Sequence, residues 1–410
     1  MQKGMVLNMQ KEKFDFDTLV ERRGTDCLKY DFAVRRGRPE NVLPLWVADM
    51  DFKTSGKIID AIRKRAEHGI FGYTESGDSY FGAVAGWMSR RHGWEIKKDW
   101  LVKTPGVVFA LAMAVKAYTK AGDGVLIQQP VYYPFTEVIE DNGRKVISSD
   151  LFLDEDGKYH IDFEDFERKA AEEKVTLFLL CSPHNPVGRV WTEEELLKIG
   201  EICLKYNVIV VSDEIHEDFV WGKRKHVVFV NLRKEFENIS VTCTSPAKTF
   251  NLAGLQVSNI FIPNDELRRQ LKKQIAAAGY SQLNTMGLTA CEAAYLYGDD
   301  WYEAMMAYVA DNIRFMKAYL ERELPQLAMT EPEGTYLVWV DFRGLGISEP
   351  GLERLIVKKA NLWLDSGAIF GKAGEGFERF NVACPRAILE KALEQLKRAV
   401  RQEKTDTVQL

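Results

Sequence analysis

Several common signatures are missing from this chain. Its six cysteines never stand closer than the 22 residues between Cys181 and Cys203, so no CxxC pair for zinc or thiol exchange exists. A reduced, cytoplasmic protein with buried thiols is the expectation. Its six histidines form no HxxxH or HExxH pair, so no local metal site is expected. No run approaches the roughly 18 to 20 apolar residues of a membrane-spanning helix, and the start, MQKGMVLNMQKEKFDF, lacks the apolar stretch of a secretory signal. Positive charge is not in excess: 55 Lys plus Arg stand against 60 Asp plus Glu, a net −5, which gives nucleic acid no footing as a partner. Repeats, low-complexity tracts and Ser/Pro-rich linkers are absent too, so any domains share one interleaved chain.

What is present is 410 residues of ordinary globular composition, 46% hydrophobic and 28% charged. That length predicts two or three domains, or one large α/β unit with an appendage. The middle alternates between short apolar runs and helical patterns. Strands are predicted at 101–103, 125–128, 175–181, 208–212, 239–244 and 257–262. Helices are predicted at 107–119 and 192–206, the second opened by the capping box Thr192-x-x-Glu195. Strands apolar on both faces and separated by helices imply an α/β fold, a mainly parallel sheet covered on both faces. From about residue 300 long amphipathic helices (301–323, 349–360, 385–404) alternate with strands at 335–341, 362–365 and 379–383, the texture of a smaller α+β domain. The expected division is 53–299 for the large domain, 14–52 plus 300–410 for the small one, and 1–13 as a flexible tail.

In open α/β sheets ligands sit beyond the carboxyl ends of strands, and that rule selects three places. In Thr104-Pro105-Gly106-Val107-Val108 a strand turns into an apolar helix whose free N–H groups suit a phosphate, although an ordinary turn would read the same. In Ser182-Pro183-His184-Asn185-Pro186 two prolines stiffen a loop, with room for a cis bond, and hold the Asn185 amide in place. Asp213 ends a strand buried on both faces, where an unpaired carboxylate is costly, so it wants a cation: a protonated ring nitrogen, a metal or an arginine.

Lys248 is the sharpest signal. It is the only charged residue among the 27 from Asn238 to Asn264, where average usage would place about seven. A desolvated lysine has a lowered pKa and a nucleophilic amine, the requirement for Schiff-base chemistry. Arg379 shares a strand face with Asn381 and could grip a carboxylate with two parallel hydrogen bonds.

Taken in order, these residues resemble fold-type I pyridoxal-phosphate (PLP) enzymes of the aminotransferase class I/II superfamily. The segments Leu43–Phe52, Phe71-Gly72-Tyr73-Thr74, Ser212-Asp213-Glu214-Ile215-His216 and Ser245–Leu255 resemble the MalY/PatB-type cystathionine β-lyases, or C–S lyases, and the likeness runs from about Phe14 to Arg401. It implies that Lys248 carries the cofactor as a Schiff base, Asp213 pairs with the pyridine nitrogen, Asn185 bonds the ring hydroxyl oxygen and Tyr132 stacks on the ring. The phosphate would lie on Gly106, Val107 and Val108, helped by Ser245 and by Tyr73 from a neighbouring subunit of a homodimer. Arg379 would hold the substrate carboxylate, with Asn185 and the backbone of Val47 and Ala48 completing that pocket. Two positions depart from the aminotransferase pattern: His216, counted among the cofactor contacts, stands where a tyrosine is usual, and Gln256 where a phosphate-binding arginine is usual. Both fit the C–S lyase branch and leave the phosphate more dependent on helix dipole and neutral donors.

The resemblance implies β-elimination from an amino acid bearing a sulfur leaving group, giving a thiol, pyruvate and ammonia. The alternative is an aminotransferase for a neutral or aromatic amino acid, which shares the first proton abstraction and then needs a keto acid. A regulator that keeps the site only for partner binding is a third reading, separable because it would keep its function in Lys248→Ala. A metal site of Asp213, Glu214 and His216 is disfavoured because only Glu214 and His216 would share a strand face.

Overall fold

The computed structural model describes residues 14–408; the expected tail at 1–13 lies outside the described residues. A seven-stranded sheet forms the middle of the molecule. Its strands are β1 Leu101–Thr104, β2 Gly124–Ile127, β3 Lys145–Ser148, β4 Val175–Cys181, β5 Ile209–Asp213, β6 Ser240–Thr244 and β7 Ser258–Phe261. Their spatial order is β1-β7-β6-β5-β4-β2-β3. Every neighbouring pair is parallel except those made by β7, which runs antiparallel to both β1 and β6. The central strands are buried on both faces, β2, β6 and β7 along their whole length. That is why β2 and β4 read as nearly continuous apolar runs, whereas β6 and β7 bury Ser240, Thr242, Thr244, Ser258 and Asn259 as well.

Two helices show how closely local sequence dictates structure. Helix α1, Val107–Tyr118, follows β1 directly and is apolar nearly all round because the sheet lies on one side and further helices on the other. Helix α2, Glu193–Lys205, begins with the capping box: Thr192 Oγ1 accepts from Glu195 N, and the Glu195 carboxylate accepts from Thr192 N. Two orphan donors are thereby satisfied.

Beyond residue 300, helices α3 (Asp299–Glu323) and α4 (Arg386–Val408) accompany a second, antiparallel sheet of four strands. These are β8 Ala328–Met329, β9 Leu337–Asp341, β10 Asp365–Ser366 and β11 Phe377–Asn381, ordered β8-β9-β11-β10. Three expectations are corrected here. The predicted strand over 362–365 is two pieces: Leu362–Trp363 pairs in parallel with Leu43–Pro44, and Asp365 then crosses to pair with Arg379 on β11. A run of buried residues looks continuous in sequence whichever partner each half takes. The strand expected from 335 starts at Leu337, because Thr335 takes a left-handed φ of 64° that no strand accommodates. The helix over 349–360 is α-helical only at Glu349–Glu353; Arg354–Lys359 winds as a π-helix, whose wider turn buries Leu355, Ile356 and Val357 together. All six cysteines are free and five are buried, but Cys27 is half-buried in the N-terminal segment, against the expectation of uniformly buried thiols. No helix among the described residues is long and apolar enough to cross a membrane.

Candidate active site

The carboxyl ends of β1, β4, β5 and β6 open on one cavity of about 170 Å³. Gly106, Val107 and Val108 line it from the first turn of α1, Asn185 from the loop after β4, Asp213 and His216 from the end of β5, and Ser245 and Lys248 from the turn after β6. Ala48 and Tyr132 close it. Residues as far apart in the chain as Gly106 and Lys248 meet because parallel strands deliver their carboxyl ends to one edge.

Lys248 lies on the short helical turn Pro246–Thr249. Ser245 caps that turn, accepting from Ala247 N (3.1 Å) and donating to Val257 O (2.7 Å). Asn251, held at a left-handed φ of 57°, ties the following bend to the 50–52 segment: its amide donates to Met50 O and Phe52 O, and its Oδ1 accepts from Met50 N. Lys248 Nζ donates to Ala48 O at 2.7 Å, a carbonyl that also accepts from Tyr336 OH at 2.9 Å. Burial pushes the Lys248 amine down to about 8, aided by Arg379 and opposed by Asp49 and Asp213.

Asp213 is buried, and Ile215 N donates to its Oδ1 at 3.2 Å. Burial raises its carboxyl to about 7, more than the Ile215 bond and Lys248 can offset. His216 is buried and neutral, driven well below the usual imidazole range by burial and by Lys248 and Arg379, with Nδ1 lacking any partner.

Arg379, on β11, is 2% exposed, so it is not a surface residue. Its guanidinium donates to Asn185 Oδ1 (3.0 Å), Trp46 O (2.7 Å) and the Asp365 carboxylate, while Nε is unpaired. Asn381, on the same strand face, donates to Val47 O (2.6 Å) and Asp49 O (2.5 Å) and so fixes the 47–49 backbone. Arg379 and Val47 stand just outside the cavity lining rather than on it. The prolines near the site take cis bonds: Gln129-Pro130 ahead of Tyr132, and Ser182-Pro183 and Asn185-Pro186 around Asn185. Tyr132 N donates to Asn185 O at 3.0 Å, joining the two loops.

Tyr73 is the one expected site residue that this chain does not bring in. It is 99% exposed on the Phe71–Thr74 segment, which adjoins residues 281–286 instead of the cavity.

Sequence reasoning missed three contributors, Ser258, Asp365 and Tyr336. Ser258 and Gln256 line the cavity from the amino end of β7, whose antiparallel direction puts its start at the same edge as its neighbours' ends. A search confined to carboxyl ends passes over Ser258; Gln256 was noted only as standing where a phosphate-binding arginine is usual. Asp365 and Tyr336 act through Arg379 and Ala48 and carry no local motif. Behind Asp213 lies another unforeseen group: His226 bonds Glu214 (2.7 Å), and His92, Trp87 and Thr249 bond Asp218. Glu217 lies between them, and its pKa is pushed well above the carboxylate range by burial. His92, Glu217 and Asp218, or Glu214, Glu217 and His226, are close enough to share a metal ion. Of the metal trio weighed from sequence, only Glu214 belongs to this group.

The donor set fits pyridoxal phosphate. Asp213 is a buried carboxylate in need of a cation, as a protonated ring nitrogen would supply. Ser258 Oγ is a buried hydroxyl with no partner, lining the cavity that the first turn of α1 also lines. That hydroxyl and the free N–H groups there suit a phosphate without an arginine.

Comparison with known proteins gives the same picture. The model of the family "Aminotransferase class I and II" matches residues 40–396. The chain is 44% identical to cystathionine β-lyase PatB of Bacillus subtilis, over 94% of this chain and 100% of the relative. It is 34% identical to protein MalY of Escherichia coli, over 95% and 99%. Among solved structures it is similar to cystalysin from Treponema denticola, which contains a pyridoxal 5'-phosphate cofactor, with a TM-score of 0.92 and 38% identity over 95% of this chain and 99% of that one.

Proposed function

We propose, from the premise that this chain belongs to the aminotransferase class I and II family, that it is a PLP-dependent C–S β-lyase. Its substrates would be cystathionine or related S-substituted cysteines, its products a thiol, pyruvate and ammonia. The observation that carries the cofactor chemistry is that the Lys248 amine and the Asp213 carboxylate line one cavity. The choice of elimination over transamination draws on the relative named cystathionine β-lyase and on His216 and Gln256.

When bound, pyridoxal phosphate supplies an electron sink for the carbanion at the substrate Cα. The chain's own groups do the rest. Asp213 would balance positive charge at the ring nitrogen, Tyr132 would cover the ring face and Asn185 would bond the ring hydroxyl oxygen, with His216 as a neutral neighbour. Gly106, Val107, Val108, Ser245 and Ser258 would hold the phosphate. Arg379, oriented by Asp365 and Asn185, grips the substrate carboxylate against the Val47 and Ala48 backbone and so aims the Cα proton at Lys248. With its pKa near 8, the Lys248 amine is partly neutral at physiological pH and can take that proton. The C–S bond then breaks, its electrons leave with sulfur as thiolate, and the three-carbon remainder hydrolyses to pyruvate and ammonia.

We read residues 53–299 as the cofactor-binding domain and 14–52 with 300–410 as the smaller one, in a cytoplasmic homodimer. The nearly full exposure of Tyr73, a large aromatic, is what supports its reaching a second subunit's phosphate. Sedimentation of wild type and Tyr73→Ala, with cofactor affinity, tests that arrangement: loss of affinity in a variant still dimeric is expected.

The function is tested with purified holoenzyme, cystathionine and no keto acid. Pyruvate equal to the thiol released is expected. Turnover only when a keto acid is added would replace elimination by transamination.

A further inference from the structure

We infer that a second pocket, continuous with the cofactor cavity, binds a carboxylate at the far end of the substrate's sulfur substituent. This rests on the C–S lyase reading and narrows its substrate class. A cleft of about 640 Å³ shares Ala48, Lys248 and Ala253 with the cofactor cavity, so it begins at the reacting amine and leads outward. It is several times larger than the cavity itself, which leaves room for a long substituent rather than a methyl group. Val20, Leu28, Met50 and Phe52 give it apolar wall for methylene groups.

Its charges are unevenly spent. Arg22 binds Asp49 and Asp51, each at 2.6 Å, and Lys29 binds Asp51 at 2.7 Å and faces Asp49 at 3.5 Å. Two acids and two bases cancel there. Apart from Lys248, Lys53, exposed on the same cleft, is the lining cation with no ion pair among the described residues. Its backbone is fixed, since Lys53 O accepts from Trp301 Nε1 at 3.1 Å. Asp15, the neighbouring carboxylate, accepts from Thr18 and the backbone N–H of Asp17 and makes no ion pair with Lys53. Lys53 is therefore the side chain on this cleft available to pair with an incoming anion. An S-substituted cysteine ending in a carboxylate, as an amino-acid or peptide thioether does, meets both requirements: methylenes against the apolar wall and a carboxylate on Lys53.

The test compares cystathionine with its amide, in which only the distal carboxyl is capped, on the full-length holoenzyme. The ratio of kcat/KM for acid over amide is expected to fall about tenfold in Lys53→Ala and to return in Lys53→Arg; raising salt should lower it in wild type. Calorimetric binding of the cystathionine analogue lacking the cysteinyl α-amino group, which cannot react, is expected to weaken by a similar factor. An acid-to-amide ratio near one in wild type, or one unchanged in Lys53→Ala, overturns the pocket. If neither substrate releases pyruvate, the lyase reading fails, and the calorimetry still decides whether the carboxylate is held.

Discussion

Asp213 offers a prediction whose sign reverses with the cofactor. Its carboxyl is raised by burial from 3.8 to about 7 in the cofactor-free protein. At about 1.4 kcal/mol per pKa unit, the ionised form costs about 4 kcal/mol there, an order-of-magnitude figure because Lys248 shares the field. The folded pKa lies above the unfolded one, so the folded state holds more protons between them. Stability is full below about pH 4 and is lost as pH rises to about 7. Asp213→Asn removes the titration. Cofactor-free Asp213→Asn should therefore melt with wild type at pH 4 and above it at pH 8, by about 5 °C for a chain of this length. With cofactor the order inverts, because the amide cannot balance a ring cation: the variant should bind pyridoxal phosphate more weakly and turn over slowly. The assay is scanning fluorimetry of both proteins from pH 4 to 8, with and without cofactor. A cofactor-free variant no more stable than wild type at pH 8 would refute the claim that this carboxylate is held in wait for a cation.

Other outcomes follow from the same geometry. Because burial lowers Lys248 to about 8, amine-specific labelling of the cofactor-free protein, read by peptide mass spectrometry, should rise at Lys248 with a midpoint near pH 8 while surface lysines respond near 10. Lys248→Ala should lose the Schiff-base absorbance and about 10³-fold or more in kcat. Arg379→Lys keeps the charge but loses the parallel donors to Asn185, Trp46 and Asp365, so steady-state kinetics should show KM raised about 100-fold with a smaller fall in kcat. Thr192→Ala removes the α2 cap far from the cavity and should cost about 1 kcal/mol of stability in denaturant titration.

How much could be read without coordinates differs between fold and site. Strands β2 and β4 were legible because a strand buried on both faces reads as a nearly continuous apolar run, and α2 because its capping box is a local hydrogen-bond exchange. Lys248 was legible because 26 uncharged neighbours make one cation conspicuous, and Asp213 because a carboxylate at the end of such a strand needs a partner. Ser258 was not, since a serine before an apolar run gains its meaning only when β7 is found to run against its neighbours. Nor was Asp365, whose role depends on leaving one sheet for another within two residues and arriving beside Arg379. The sequence by itself determined which side chains could do chemistry and which segments had to be buried, because those follow from charge, polarity and local backbone rules. The tertiary structure alone decided strand direction, the partner of each buried charge and the cleft running outward from Lys248, because these depend on contacts between residues far apart in the chain that no local pattern records.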